Sequence, residues 1–330
     1  MSAMQTRLFQ GVPVSEVGLG CWQLGGGDWG ALDNTSARAI LRAAYERGVT
    51  FFDTADVYGG GVSEQRVGAW LAEEQPHGVF VATKLGRRGD PGGLENFSYA
   101  TMRQHTTDSL SRLGVERLDL TQLHCIPTDV LRQGEVFVHL RELRREGLIA
   151  RFGVSVESME EAQLCLEQDG LASLQIIFNL FRQKPITALF EEAKAKNTAL
   201  IVRLPLASGL LAGKYTVQTQ FAASDHRTYN RDGGAFNVGE TFAGLPFERG
   251  VKLADALKSF VPEGWTLAQL AQRWILDFDA VTTLIPGATR LGQVESNVSV
   301  SDLPRLPESL HQQLSTFYSE HVASHIRGPY

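Results

Sequence analysis

Short apolar runs alternate with amphipathic segments of helical length along this 330-residue chain. The apolar runs span residues 17–20, 50–53, 79–83, 118–124, 150–156, 174–179, 199–204 and 281–287. Intervening segments such as 36–48 and 186–197 carry apolar residues at helical spacing. Because strands that are apolar on both faces and alternate with helices are typical of parallel sheets, the pattern predicts an α/β protein. Eight runs over about 270 residues favour a closed (β/α)8 TIM barrel, with a doubly wound open sheet as the competing fold.

Three further segments extend this barrel pattern. The start of the chain predicts a small β-hairpin, with strands Thr6–Phe9 and Val12–Ser15 around Gln10-Gly11, which would cap the bottom of the barrel. Residues 216–249 have neither strand nor helix periodicity, and long connections of this kind are usually functional lids or binding loops. Because this loop follows the seventh apolar run, we expect it over the top face. After Leu306 we expect an extra C-terminal helix followed by a loose end.

The composition is that of a soluble globular protein and is compatible with a single domain over residues 1–330. Hydrophobic residues make up 43% of the chain and charged residues 21%. A net charge of −6 without long like-charge runs disfavours a nucleic-acid surface, and no run approaches the roughly 18 apolar residues of a membrane span. Cys21, Cys125 and Cys165 lack CxxC spacing, which indicates a reducing compartment. With no apolar signal core at its start, the chain is predicted to be cytoplasmic, with small-molecule partners and a monomeric state as defaults.

Polar residues end three successive apolar runs. The second run ends in Asp53, with Tyr58 five residues further on, the third leads into Lys84, and the fourth ends in His124. Each residue alone has an ordinary structural explanation, as a turn former, a wet core aromatic, a rim lysine or a buried histidine. The carboxyl ends of barrel strands converge on one face, however, so the sequence predicts that these four side chains meet.

Together the four side chains suit proton donation at neutral pH. A free tyrosine has a pKa of about 10, and a neighbouring ammonium favours its ionised form. We therefore predict that Lys84 activates Tyr58 as the general acid and that Asp53 holds Lys84 charged and in position. His124 is predicted to donate a hydrogen bond to the substrate oxygen and to orient it.

These residues carry a resemblance to a known family. The chain resembles the aldo-keto reductase superfamily, whose Asp, Tyr, Lys, His tetrad matches Asp53, Tyr58, Lys84 and His124 in order and spacing. The likeness extends from GLGCWQ at the first run to IPGATR after the eighth. It implies a (β/α)8 barrel that reduces aldehydes or ketones with NADPH, or runs the reverse oxidation, without a metal.

The phosphate-binding fingerprint of many nicotinamide enzymes, GxGxxG, is absent after the first run. Barrels offer another phosphate site near the loops after strands seven and eight, at a helix N-terminus. The segment IPGATRLGQVESN suits this role, because Gly287 allows close approach of the backbone and Thr289 can cap the following helix. Arg290 adds a charge suited to a 2′-phosphate, which favours NADPH.

The resemblance also implies which residues hold the adenosine end of the cofactor. Arg290, Gln293 and Asn297 match the family positions that contact it, and Lys214 matches a pyrophosphate contact. A family glutamate that reads the adenine is replaced by Ser296. This departure leaves NADH open as an alternative to NADPH.

The nicotinamide end is assigned in the same way. Ser155 and Gln175 match residues that bind the carboxamide, and Leu206 and Ser208 match the phosphate path. Arg203 occupies the position where an aromatic residue commonly stacks on the nicotinamide; its guanidinium plane could stack, but it would place a charge near the ring. Val156 follows Ser155 where the family often has asparagine, so one carboxamide hydrogen bond is in doubt.

Trp22 matches a family position that lines the substrate pocket. Further residues that could border the pocket are Trp29, Phe97, Cys125, Tyr229, Phe236 and Phe242. Arg87 and Arg88 could admit a sugar, a hydroxylated aldehyde or an anionic carbonyl, although charged loop residues are most often only solvated. The substrate is therefore predicted as a small carbonyl compound, an alcohol or a sugar.

Two other functions fit the same residues. One is a Schiff-base barrel of the aldolase type with Lys84 as nucleophile, which pairing with Asp53 would oppose because a protonated lysine is not nucleophilic. The other is an NADPH-binding regulatory subunit with little turnover, like the potassium-channel β subunits that resemble this family.

A metal site is not predicted, since His321 and His325 lack an evident third ligand.

Overall fold

The computed structural model describes residues 4–90 and 92–330. An antiparallel hairpin, β1 (Thr6–Phe9) and β2 (Val12–Ser15), opens the fold. Eight parallel strands form one sheet in chain order. They are β3 (Leu19–Gly20), β4 (Phe51–Asp53), β5 (Phe80–Leu85), β6 (Leu120–His124), β7 (Phe152–Ser155), β8 (Leu171–Ile177), β9 (Ala199–Arg203) and β10 (Val281–Leu284).

The sheet closes on itself between its first and last strands. The amide N–H of Gly18 donates to the carbonyl of Leu284 at 2.8 Å, and that of Gly20 donates to the carbonyl of Pro286 at 3.1 Å. The amide N–H of Leu284 donates in turn to the carbonyl of Glu16 at 3.0 Å. The predicted (β/α)8 barrel is therefore confirmed, and the open sheet is wrong.

Helices surround the barrel between its strands. They are α1 (Asn34–Glu46), α2 (Val62–Glu74), α3 (Tyr99–Leu113), α4 (Thr128–Gln133), α5 (Glu135–Arg145), α6 (Met159–Leu166), α7 (Pro185–Ala188), α8 (Phe190–Ala195), α9 (His226–Tyr229), α10 (Phe247–Leu257), α11 (Leu267–Leu276), α12 (Leu291–Val298) and α13 (Glu308–Phe317). Side-chain caps begin several of them, including Asp33 at α1 and the capping box of Thr266 and Gln269 at α11. Within the described ranges, no helix is long and apolar enough to cross a membrane.

The hairpin β1–β2 plugs the N-terminal mouth of the barrel, as predicted. Its turn at Gln10 and Gly11 has positive φ at both residues (49° and 82°), the conformation of a type I′ hairpin turn. The ring of Phe9 packs against those of Phe51 and Phe80, with centroids 6.0 and 4.9 Å away. An apolar plug at this end leaves the C-terminal mouth for polar chemistry.

The long loop covers the C-terminal mouth. It ends at Pro246 rather than at residue 249, because α10 already begins at Phe247. It also contains the short helix α9, which Asp225 caps through a 2.9 Å hydrogen bond from the amide N–H of Arg227. The amide N–H of His226 donates to the carbonyl of Asp28, which fixes this loop to the loop after β3.

The extra helix α13 is present, but the end of the chain is not loose. The Arg327 guanidinium donates to the carbonyl of Gly244 (3.0 Å) and to Asp232 (2.7 Å). The buried Arg182 guanidinium donates to the carbonyl of Pro329 at 2.7 Å and lies over the Tyr330 ring. The expectation of a loose end is wrong because Arg327 and Tyr330 contact residues that lie far away in the sequence.

Candidate active site

The turn that carries Tyr58 is built on glycine. Gly59, Gly60 and Gly61 follow one another with φ of 61°, 65° and 99°, a left-handed path that side chains disfavour. A Cβ on Gly59 would lie 2.2 Å from the carbonyl oxygen of Gly25, so the two loops pack backbone against backbone. The turn thereby holds the Tyr58 side chain over the barrel mouth before α2 begins.

Lys84 is buried inside the barrel mouth, with all three of its ammonium donors engaged. Its Nζ donates to Asp53 Oδ1, to the carbonyl of Thr54 at 2.8 Å and to the Tyr58 hydroxyl at 3.2 Å. The structure therefore brings together three of the four predicted tetrad members through one ammonium group.

The second carboxylate oxygen of Asp53 has partners that sequence reasoning missed. Gln122 Nε2 donates to Oδ2 at 3.1 Å, and Gln175 Nε2 donates to it at 2.8 Å. Gln122 stands in the middle of β6, so its signal was an uncharged polar residue within an apolar strand. Gln175, assigned to the cofactor carboxamide, uses its amide nitrogen on Asp53, and its carbonyl oxygen accepts no hydrogen bond within the described part of the chain.

Burial and charge act in opposite directions on the proton donor and its partner. Burial raises the pKa of Tyr58, and the Lys84 charge only partly offsets this, so the pKa lies above the ordinary value. Burial lowers the pKa of Lys84, but Asp53 and Tyr58 outweigh burial and raise it overall. The effect of burial therefore exceeds that of the ammonium, from which alone activation of Tyr58 was predicted. At neutral pH both groups hold their protons.

His124 lies beside Tyr58, with ring centroids 5.8 Å apart in an edge-to-face arrangement. Burial, together with the charges of Arg87 and Lys84, lowers the pKa of His124 well below its usual range. The ring is therefore neutral, and one nitrogen carries a proton. Its Nδ1 is buried without a hydrogen-bond partner in the residues that the structure covers.

A cavity of about 960 Å³ runs from this cluster to the N-terminus of α12. Its lining contains most of the residues assigned to the site, namely Trp22, Asp53, Tyr58, His124, Gln175, Arg203, Leu206, Ser208, Lys214, Gly287, Arg290, Gln293 and Asn297. Among the assigned cofactor residues, Ser155 does not line the cavity. Its hydroxyl lies 3.4 Å from Cys125 Sγ. Trp29 and Phe236 also line the cavity, whereas Phe97 and Phe242 are buried outside it.

The far end of the cavity is organised around α12. Gln293 Oε1 accepts hydrogen bonds from the backbone amide of Thr289 at 2.8 Å and from its hydroxyl at 3.0 Å. Asn297 Nδ2 donates to the carbonyl of Gly287 at 3.4 Å. Arg290 directly precedes the helix, and Lys214 faces the same space. Two cations and a helix N-terminus at one end make this part of the cavity suited to phosphate.

A buried ionic cluster flanks His124, and its two acidic residues were not predicted from the sequence. The carboxylate of Glu240, from the long loop, lies 3.6 Å from the Arg203 guanidinium and 3.5 Å from that of Arg87. Glu157, which follows β7, lies 3.6 Å from Arg87 and accepts a 3.0 Å hydrogen bond from the Asn237 side chain. Burial and the neighbouring Glu240 raise the pKa of Glu157 to about 8, whereas the two arginines keep Glu240 ionised.

This cluster includes three groups that bind metals elsewhere. Ligand atoms of Cys125, Glu157 and Glu240 lie within 4.8 Å of one another. Burial raises the pKa of the Cys125 thiol to about 12, and zinc prefers a thiolate. The guanidinium groups of Arg87 and Arg203 outweigh the one ionised carboxylate, that of Glu240, so the charges present do not suit a cation.

An aromatic wall borders the other side of the Tyr58 hydroxyl. The ring of Trp22 stacks on Tyr58 at 5.9 Å between centroids, and its indole N–H donates to Asp28 Oδ2 at 3.0 Å. The Tyr229 hydroxyl donates to Asp28 Oδ1 at 2.7 Å. His226 packs against both Trp22 and Trp29. The long loop thus forms part of the wall that faces the tetrad.

Known proteins share this sequence pattern and fold. A family model described as the aldo/keto reductase family matches residues 16–318. An uncharacterized oxidoreductase of Mycobacterium tuberculosis is 31% identical over 297 residues, covering 88% of this chain and 85% of the relative. The aldo-keto reductase YhdN of Bacillus subtilis is 29% identical over 290 residues, covering 87% and 85%.

Solved structures agree over nearly the full length. The glycerol dehydrogenase AKR11B4 from Gluconobacter oxydans superposes with a TM-score of 0.80 at 31% identity, covering 98% of each chain. The holo form of the aldo-keto reductase AKR11C1 from Bacillus halodurans has a TM-score of 0.76 at 26% identity, covering 96% of this chain and 99% of that one.

Proposed function

The chain belongs to the aldo/keto reductase family, and from this premise we propose that it is an NADPH-dependent oxidoreductase. It reduces an aldehyde or ketone to the alcohol, or runs the reverse oxidation, with Tyr58 as the general acid and base. The observation that carries the proposal is the hydrogen-bonded chain of Tyr58, Lys84 and Asp53 at the mouth of a large cavity.

Each tetrad member has a separate task in this proposal. Tyr58 gives its phenolic proton to the carbonyl oxygen as the alcohol forms. The charge of Lys84 stabilises the phenolate that remains, and Asp53 keeps that ammonium in place. The neutral His124 donates one ring N–H to the same oxygen, so that the carbonyl is polarised before it receives the proton.

The residues that line the cavity fit a nicotinamide dinucleotide. A volume of about 960 Å³ lies at the upper end of the usual range for ligand pockets. When bound, NADPH supplies the hydride. Gln175 Oε1 is available to a carboxamide, Lys214 to the pyrophosphate and Arg290 to a 2′-phosphate. Arg290 supports NADPH over NADH as the preferred cofactor.

Two observations bear on the other candidate roles. Lys84 spends its three donors on fixed partners and stays protonated, which opposes its use as a Schiff-base nucleophile. The likeness to a glycerol dehydrogenase supports small hydroxylated compounds as substrates and the oxidative direction of the reaction.

We also propose that the protein is a cytoplasmic monomer that acts on small molecules.

The first experiment is a fluorescence titration of the purified protein with NADPH and NADH, followed by a panel of aldehydes, ketones, sugars and polyols. We expect tighter binding of NADPH and oxidation of NADPH by some carbonyl of the panel. Tyr58→Phe is expected to lower turnover by about a hundredfold or more with nearly unchanged cofactor affinity, because only the proton donor is removed.

Tyr45→Phe is the matched control, since Tyr45 lies on α1 with its hydroxyl bonded to the backbone of His77. It should leave turnover unchanged. Full activity of Tyr58→Phe would remove the proposed acid. Tight NADPH binding without turnover of any panel member, in either direction, would favour the regulatory role instead.

A further inference from the structure

Arg87 is a buried guanidinium whose hydrogen-bond donors are unused. Its side chain is only 18% exposed and lines the cavity beside Tyr58 and His124. Its polar contacts are the two carboxylates at 3.5 and 3.6 Å, and it makes no side-chain hydrogen bond to any residue of the described ranges. A guanidinium carries five N–H donors in a fixed fork. These donors are therefore available to a molecule in the cavity.

The neighbouring Arg88, in contrast, has a hydrogen-bond partner. Its Nη1 donates to Asp108 Oδ2 on α3 at 2.6 Å, and the residue does not line the cavity. Arg203 is partly satisfied: its Nη2 donates to the carbonyl of Val156 at 3.2 Å, whereas its buried Nε has no hydrogen-bond partner among the described residues. Arg87 thus differs from both neighbours, because its guanidinium donates no hydrogen bond to any described residue although it lines the cavity.

The charge around Arg87 leaves room for one anion. Two arginines, Arg87 and Arg203, share the single ionised carboxylate of Glu240. Glu157 lies next to Glu240 and keeps its proton at neutral pH, so it adds no second negative charge. The buried cluster therefore has a net charge of about +1, which one carboxylate on a bound molecule would neutralise.

We infer that the substrate is a carbonyl compound that also carries a carboxylate, which Arg87 binds in a bidentate manner. The inference deepens the proposed function and rests on it. The rings of Phe236 and Trp22 meet edge to face, with centroids 6.3 Å apart, and border the space between the two polar ends; the Arg87 guanidinium lies 5.8 Å from the Phe236 centroid. A monoanionic carboxylate matches the charge of the cluster better than a phosphate, which carries up to two charges.

The reaction balances as a reduction of an oxo acid to a hydroxy acid. The carbonyl carbon accepts a hydride from the bound cofactor, the C=O π bond breaks, and the oxygen takes the proton of Tyr58. The carboxylate remains unchanged and paired with Arg87 throughout. It serves to place the carbonyl oxygen between Tyr58 and His124.

The test compares two aldehydes of the same shape, 4-formylbenzoate and the neutral 4-formylbenzamide. In the wild-type protein we expect kcat/KM to be about ten- to hundredfold higher for the carboxylate, mainly through KM, because a hydrogen bond to a charged group is lost in the amide. Arg87→Met should abolish this preference, because it lowers kcat/KM for the carboxylate more than for the amide. Arg87→Lys should restore part of it, and Arg88→Met should leave it intact.

Equal kcat/KM for the two aldehydes in the wild-type protein, or a preference that survives in Arg87→Met, would overturn the inference. Reduction of 4-formylbenzamide by both proteins in that case would leave the proposed function standing. If neither aldehyde is reduced, a calorimetric titration with 4-formylbenzoate in the presence of NADP⁺ decides. Binding that Arg87→Met abolishes would support the carboxylate site, and the absence of binding would overturn it.

Discussion

The relative positions of Asp53 and Tyr58 depend on the Lys84 ammonium, which contacts both. It is fully buried, and its charge is balanced by one carboxylate, one backbone carbonyl and one phenol. A buried charge of this kind tolerates little displacement, because each partner lost leaves another buried polar group unsatisfied. The same contacts that fix Tyr58 for proton transfer therefore contribute to the stability of the barrel mouth.

Lys84→Met tests both roles of this ammonium. Removal of one partner from a buried ion pair leaves Asp53 uncompensated, so we expect the free energy of unfolding to fall by about 3–5 kcal/mol. Turnover should fall at least as far as in Tyr58→Phe. Chemical denaturation and steady-state kinetics measure the two effects.

The double variant Asp53→Asn/Lys84→Met provides the matched control for this prediction. It removes the stranded carboxylate, so stability should recover in part while turnover stays low. A double variant as unstable as Lys84→Met would show that the unpaired charge is not the cause of the loss.

The meeting of the tetrad side chains was predictable because Asp53, Lys84 and His124 lie at or next to the carboxyl ends of successive strands and Tyr58 follows the first of these. The acidic half of the ionic cluster was not, since Glu240 comes from an aperiodic loop and meets Arg203 only after folding. Glu157 was overlooked for a similar reason: nothing in its local sequence separates a buried acid from a solvated one. Gln122 was readable in principle, as a polar residue within an apolar strand.

Among the structural elements, the hairpin β1–β2 plugs the N-terminal mouth of the barrel and takes no part in the chemistry. Its inner face, with Phe9 and Val14, packs into the N-terminal end of the barrel, opposite the tetrad. Alternation along β1 leaves Leu8 on the outer face, 70% exposed. Stability and catalysis should therefore respond separately to changes in this element.

Phe9→Ala is the test at this level, with Leu8→Ala on the same strand as control. Loss of a buried phenyl ring should lower the free energy of unfolding by about 3–5 kcal/mol, whereas the exposed leucine should change it by less than about 0.5 kcal/mol. The kcat of the folded fraction should be unchanged in both. A specific loss of kcat in Phe9→Ala at full folding would contradict the separation of plug and active site.

The strands and the hairpin followed from local periodicity, so their positions were predicted to within a few residues. The ends of the chain and the long loop were less predictable, because their structure depends on single distant contacts. Arg327 and Tyr330 hold the tail through contacts with Gly244 and Arg182, buried partners that carry no sequence signature. Likewise, α9 is a four-residue turn that becomes helical through one aspartate cap.

Over the entire protein, the pH dependence of the free energy of unfolding is a sum over buried groups, some of which favour the folded state at higher pH and others at lower pH. Buried His124 must gain a charge as pH falls, which favours the folded state at higher pH. Buried Asp56 favours the folded state at lower pH. Its two carboxylate oxygens have no hydrogen-bond partner in residues 4–90 and 92–330. Burial and then the nearby Glu64 raise its pKa to about 7, against the opposing charges of Arg88, Arg112 and Lys84.

A difference between two proteins isolates Asp56 from this sum. Because its folded pKa is raised, the folded state binds the proton more tightly, and stability is lost as pH rises from about 4 to about 7. Asp56→Asn removes that loss. The free energy of unfolding of the variant minus that of the wild type should therefore increase across this interval and level off above it. Urea denaturation at intervals of one pH unit measures the difference, with Asp255→Asn on the exposed face of α10 as the baseline for the same substitution. A difference that stays flat, or that falls as pH rises, would mean that Asp56 is ionised in the folded barrel, with Arg88 and Arg112 compensating its burial.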